Sequence, residues 1–203
     1  SADESEQPAH SVTLSKPFFL GRTEVTQEQW KSVMGSDAAP AELTGNTLPV
    51  ETVSWVECME FCEKLTKREH ESGALPLDWI YTLPTEAQWE YACRSGTTTR
   101  YSFGDDPTNH GLHGWSSENS AKRTQPVSGK TANPWGFYDM YGNVWEWCLD
   151  KATTSRVENP YRVIRGGGFT GKAASSDSSV SMGFSPTTTW NFLGFRLAIA
   201  VPQ

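Results

Sequence analysis

Thirteen residues, Tyr138 to Asp150 (YDMYGNVWEWCLD), restrict the fold of this chain more than any other stretch. Trp145 and Trp147 alternate with Glu146 as a strand would place them, and Gly142-Asn143 just before supplies a backbone turn. Two large rings on one face of a strand commit their surroundings to a packed core. Asp139 and Glu146 lie on either side of the turn. If the loop curls, backbone carbonyls of the turn enter the same space, and the set of oxygen donors suits a hard cation. A second reading needs no ion: the tryptophans are core and Glu146 is a paired structural carboxylate. Residue types alone leave both open.

Nine Trp, nine Phe and six Tyr beside 17 Gly and 12 Pro describe a loop-rich protein with an aromatic core, and 203 residues suffice to bury one. The net charge of −7 comes with no basic face, which argues against a nucleic-acid partner. The densest basic run, Lys64 to Arg68, reads as the solvated face of a helix. No apolar stretch reaches the length of a membrane-crossing helix. Cys58 and Cys62 share a helix face without a nearby Cys/His pair, so the four cysteines, with Cys93 and Cys148, read as buried small hydrophobes rather than zinc ligands.

Residues 10 to 20 alternate as a strand, with Pro17 indicating an edge or a bulge. Three capping boxes then announce helices: Thr26 with Gln29, Ser54 with Glu57, and Thr85 with Gln88, stopped by Gly35, Gly73 and Gly96. WIYTL, 79 to 83, is a short strand between the second and third. Residues 96 to 132 form a long structured loop, in which His110 and His113, lacking a third ligand, are expected at the surface. A polar excursion, Lys151 to Pro160, leads into RVIRGGGF, where glycines 166 to 168 follow a strand. Without GxxxxGK[ST], those glycines predict a bulge or close backbone approach, not a phosphate loop. LGFRLAIAV, 193 to 201, reads as a closing strand, and the whole as an α+β domain.

Six segments in this order, TEVTQEQW, LPVETVSWVECMEFC, YTLPTEAQWEYACRSG, NPWGFYDMYGNVWEWCLD, RVIRGGGF and LGFRLA, resemble the formylglycine-generating enzyme, or sulfatase-modifying factor, domain from His10 to Ala200. The resemblance implies one domain over residues 1–203 with a C-type lectin-like fold: small sheets, flanking helices and much irregular loop. It implies a structural calcium on the side chains of Asp139 and Glu146 and the carbonyls of Gly142 and Val144. A second calcium, near Asn119 in some members, is not carried over, because SAKRTQPVSGK has no acidic partner. The enzymes oxidise a substrate cysteine with copper held by two cysteines between the RGG and GFR motifs. Gly168 to Phe192 contains no cysteine; the equivalent positions fall near Gly171 and Ser176. No copper and no formylglycine chemistry are expected.

That interval, GFTGKAASSDSSVSMGFSPTTTWNF, interleaves ten Ser and Thr with Phe169, Phe184, Trp190 and Phe192, the mixture of adaptable hydroxyls and rigid rings found in paratopes. Its placement resembles the variable proteins of diversity-generating retroelements, whose mutable cassette would here span 164–198. The reading is a ligand-binding receptor for an unknown protein or surface ligand, displayed at the cell surface or secreted, with any lipid anchor upstream of Ser1. Expected contacts are Thr170, Lys172, Ser176, Asp177, Ser179, Phe184, Thr188, Trp190 and Phe192, whereas Phe169 is expected in the core. Trp190 and Phe192 share strand parity, so both are buried or both displayed. The alternatives are an enzyme of altered oxidative chemistry on this fold, like the modifying oxidases of siderophore synthesis that lack the cysteine pair, and a regulatory or structural module that kept the scaffold.

Overall fold

Three helices start with the same reciprocal device in the computed structural model, which describes residues 12–35, 40–152 and 161–201. Thr26, Ser54 and Thr85 each accept a hydrogen bond from the backbone N–H three residues on, and Gln29, Glu57 and Gln88 reach back to the cap N–H. These satisfy orphan donors at the first turns of α1 (Gln27–Met34), α2 (Trp55–Ser72) and α3 (Glu86–Arg94). Gly35 and Gly73 close the first two as expected. α3 ends one residue earlier than expected, at Ser95, which itself takes the left-handed conformation ahead of Gly96. The 96–132 loop contains a single short helix, α4 (His110–His113), after a 3-10 turn. No helix among the described residues is long and apolar enough to cross a membrane.

Two sheets complete the α+β architecture. The first orders β1 (Phe18–Leu20), β7 (Ala198–Ala200) and β2 (Ile80–Thr82) antiparallel, with β7 central. The second orders β5 (Ser181–Phe184), β4 (Arg162–Arg165), β3 (Trp145–Lys151) and β6 (Leu193–Gly194), with β6 parallel to β3. The expected strand 193–201 is therefore two strands in different sheets. Phe195 and Arg196, both buried, occupy the crossing, where they leave the pleat to meet separate partners. The expected strand 10–20 shrinks to Phe18–Leu20, after the Pro17 that lacks a ladder donor; residues 10 and 11 lie outside the described residues, as do 153–160 of the polar excursion.

β3 is buried on both faces. Trp145 and Trp147 enter a cluster with Trp30, Phe61, Leu193 and Phe195, while Cys148 enters a second with Trp89, Tyr101 and Tyr141. Trp30 stacks on Phe61 at 5.3 Å, and Phe195 meets both edge-on. All four cysteines are free and buried, as small hydrophobes; burial pushes the Cys62 thiol up to about 12.

The triple glycine answers to close approach. A Cβ on Gly167 would lie 2.5 Å from the Ser176 Cβ, and Gly166 faces the Trp89 ring at 3.1 Å. The tightest demand is at Gly142, where φ is +129° and a Cβ would lie 1.9 Å from the Trp115 carbonyl oxygen. Gly73 is also left-handed, at φ +74°, but opens onto free space. Gly142→Ala is therefore expected to cost more than about 4 kcal/mol in urea unfolding, and Gly73→Ala about 1 kcal/mol.

Candidate functional site

The motif that opened the sequence forms a buried charged centre. Glu146 is fully buried: Arg196 Nε donates to its Oε2 at 2.5 Å, Arg196 Nη2 to its Oε1 at 2.6 Å, and Trp89 Nε1 to its Oε2 at 2.6 Å. The remaining Arg196 donors reach the carbonyls of Gly21 and Tyr138. Burial opposes the Arg196 charge, but the pairing with Glu146 together with the charges of Glu24 and Asp139 outweighs it and moves its pKa up. Glu146 is thus a paired structural carboxylate, as one of the two readings had it. Glu24 completes the turn, accepting from Val144 N–H at 3.0 Å and Asn143 Nδ2 at 2.7 Å.

The same centre leaves negative charge uncompensated. Asp139 Oδ2 accepts from Ser128 N–H at 2.7 Å, but Asp139 Oδ1 is buried without a hydrogen-bond donor. Burial raises the Asp139 carboxyl to about 6, and burial together with the charges of Asp139 and Glu146 pushes Glu24 well above the usual carboxylate range. No cluster of three or more His, Cys, Asp or Glu suited to a metal occurs among the described residues. An ion here would need main-chain oxygens as well, and the orphaned Asp139 Oδ1 within an excess of buried negative charge fits calcium chemistry.

The interval downstream divides into an inward half and an outward half. Ser176 is only 3% exposed, so it is not a surface contact. Its hydroxyl lies 2.9 Å from both the Ala173 carbonyl and His110 Nε2. His110 is 2% exposed, contrary to the surface position expected, because its ring fits against Tyr101 and hydrogen bonds the Tyr141 carbonyl. His113 turns elsewhere, stacking on Phe103 at 4.3 Å, so the two histidines do not converge. Asp177 pairs with Arg100 at 2.9 Å and caps the N–H groups of Ser179 and Val180, and the Ser179 hydroxyl also binds it. These residues hold the loop's shape. Thr170 and Lys172 are exposed, and Phe169 is core as expected.

Aromatic side chains crowd the outward half. Phe184 meets Trp190 edge-on at 4.7 Å and Trp190 meets Phe192 at 5.0 Å. Phe184 and Phe192 back onto the core, while Trp190 is 44% exposed, with Met182 also exposed and Thr188 half-buried nearby in sequence. The parity expectation fails because residue 190 is irregular and residues 191 and 192 are turn, not strand. Trp190, Phe192, Thr189 and Asn191 line a surface cleft of about 620 Å³ together with Glu42 and Thr52. Glu42 lies in a stretch read as loop, and Thr52, though inside the LPVETVSWVECMEFC segment, was not singled out for binding. Thr52, β-branched at φ +60°, stands in a region worth about 1–3 kcal/mol of strain. It is held there by its N–H on the Trp190 carbonyl at 3.1 Å and its hydroxyl on the Glu51 carboxylate.

The model of the sulfatase-modifying factor enzyme 1-like domain matches residues 1–201. The chaperone protein LppX of Paenibacillus barcinonensis is 31% identical over 83% of this chain and 75% of its own. The formylglycine-generating enzyme of Streptomyces coelicolor is 31% identical over 69% of this chain, which spans half of that enzyme's length. Among solved structures, Treponema denticola variable protein 1 superposes with a TM-score of 0.80 and 28% identity, covering 91% of this chain and 84% of its own. PvdO from Pseudomonas aeruginosa superposes with a TM-score of 0.83 over 98% of this chain and 86% of its own, and at 22% identity shares the fold. The architecture is the C-type lectin-like variant that the six segments implied.

His110 gives the inward half a pH signature. Burial lowers its pKa below 6.5, so the unfolded chain takes up a proton there that the folded chain refuses. Its contribution is complete above about pH 6.5 and is lost as pH falls below that value. The buried carboxyls carry the opposite sign, so the melting temperature of wild type minus that of His110→Gln is the measurement. This difference is expected to shrink on going from pH 8 to pH 5.

Proposed function

The chain belongs to the sulfatase-modifying factor enzyme 1-like domain family, and we propose that this member binds a ligand on its surface instead of oxidising a thiol. The observation that carries the reading is the state of the Gly168–Phe192 interval. It has no cysteine. Its inward half is closed around Ser176 and His110, and its outward half presents ring surface around Trp190. Thr170, Lys172, Phe184, Thr188, Trp190 and Phe192 are the contacts retained from the sequence reading; Ser176 supports the loop from inside, and Asp177 and Ser179 shape it. The likeness to Treponema denticola variable protein 1 supports a replaceable cassette over 164–198. Sequencing the neighbouring DNA tests this: a reverse transcriptase gene beside a near-copy of the codons for 164–198 is expected, and absence of both overturns the cassette.

A catalytic role on the same scaffold is the second reading. The contact between the Ser176 hydroxyl and His110 Nε2 at 2.9 Å favours it, since hydroxyl and imidazole are the parts of an activated nucleophile. Burial of both groups weighs against it, because a substrate has no route to them.

In this reading calcium serves the scaffold. The free Asp139 Oδ1 and the Gly142 and Val144 carbonyls would hold it, with Glu146, whose oxygens already accept from Arg196 and Trp89, adding charge nearby, and the ion would offset the buried negative charge behind the cassette. Chelation is expected to lower the melting temperature of wild type, and Asp139→Asn to abolish the difference between chelated and calcium-loaded protein. Glu146→Ala is a poor probe of the ion, since it strands Arg196 and is expected to cost about 3–5 kcal/mol with or without calcium.

A further inference from the structure

We propose that the cleft beside Trp190 is a subsite for a lysine side chain of a protein partner, its alkyl stem lying along Trp190 and Phe192 and its ammonium on the Glu42 carboxylate. This deepens the binding reading and rests on it. Six residues line the cleft, and Glu42 is the one charged residue among them; the rest are Trp190, Phe192, Thr52, Thr189 and Asn191. An apolar wall ending in a carboxylate complements a side chain that is apolar along its length and cationic at its tip. The acidic end is reinforced from behind. Glu51 lies beneath the rim, its carboxylate accepting the Glu42 N–H at 2.6 Å and the Thr52 hydroxyl, so a second acidic group backs the Glu42 position. The basic group of the neighbouring strand is engaged elsewhere: the Arg162 guanidinium lies 3.9 Å over the Trp55 ring and donates to the Leu149 carbonyl. The overall charge of −7 favours encounter with a basic surface.

The origin of the lining residues divides the labour. Thr189, Trp190, Asn191 and Phe192 belong to the candidate cassette, whereas Glu42 and Thr52 lie outside it. Thr52 is also the strained residue whose N–H fastens the Trp190 carbonyl, so fixed scaffold anchors the cassette main chain at Trp190 in the same cleft as Glu42. Replacement of the cassette would reshape the apolar wall and leave the charge preference intact.

The test uses the whole chain, uniformly ¹⁵N-labelled, titrated with N-acetyl-lysine methylamide and, separately, with the same compound acetylated on Nε, which keeps the stem and removes the charge. Saturable shifts of the Thr52, Trp190 and Asn191 amides with the charged probe only are expected, weakened about three- to fivefold in Glu42→Gln and lost in Trp190→Ala. Glu42 is exposed, so its substitution leaves the fold intact, as an otherwise unchanged spectrum would confirm. Equal shifts with the neutral probe, no shifts with either, or unchanged affinity in Glu42→Gln would each overturn the proposal. The neighbouring-DNA result is independent of this titration, so failure of the subsite and failure of the cassette are separable.

Discussion

The pairing of Arg196 with Glu146 is the contact on which the rest of the structure depends. Both groups are fully buried, and the guanidinium satisfies the carboxylate through two nitrogens while its other hydrogens reach the carbonyls of Gly21 and Tyr138. One side chain thereby ties β3 to the crossing between β6 and β7, to the end of β1 and to the loop before the Gly142 turn. Trp89 adds α3 through the same carboxylate. Charges so deep are tolerated only when geometry and hydrogen bonding are complete, and removing either partner leaves the other uncompensated. This explains why the last strand breaks in two. Arg196 must turn inward at the point where a continuous strand would have kept it in the pleat.

A second arginine anchors the other end of the interval. Arg165, at the end of β4, donates to the carbonyls of Ser179 and Val180 and pairs with Glu90 and Glu86 on α3. Arg165 and Arg196 thus flank the segment, the one paired with α3 and the other with β3. Main-chain groups of the segment carry further fixings, the Gly171 carbonyl on Ser117 N–H, the Trp190 carbonyl on Thr52 N–H and the Phe192 carbonyl on Trp145 N–H, and these are indifferent to which side chains the segment carries. Ser176 and Asp177 are exceptions: the close approach of Gly167 and the contact with His110 set the size and polarity of Ser176, and the Asp177 carboxylate caps Ser179 and Val180 and pairs with Arg100. A loop pinned through its main chain can change its surface without changing its course, which is the mechanical requirement of a replaceable binding surface.

Local order was legible wherever a local rule governs. The capping boxes at Thr26, Ser54 and Thr85 fixed three helix starts, and the Gly-Asn turn and the alternating tryptophans fixed β3. Asp139 and Glu146 were identified together, yet their division of roles was not legible, because the Arg196 that claims Glu146 is 50 residues away. His110 was misplaced for the same reason. Its burial depends on Tyr101, Tyr141 and Ser176, and no neighbour in sequence reports it. That Glu42 and Thr52 share a cleft was not legible, because a surface cleft is made by loops whose approach is decided by the packing of everything beneath them.

The comparison between the two halves of the interval also bears on how a scaffold changes function. Copper chemistry needs two soft ligands converging in an accessible site. Here the inner position is a serine hydroxyl spent on a carbonyl and an imidazole, while Gly171 offers no side chain. The outer half has no such requirement for convergence: an exposed indole supported by Phe184 and Phe192 contributes surface area whatever its neighbours become. The inner half is thus constrained by burial and polar side-chain contacts, whereas the outer half is held chiefly through its main chain.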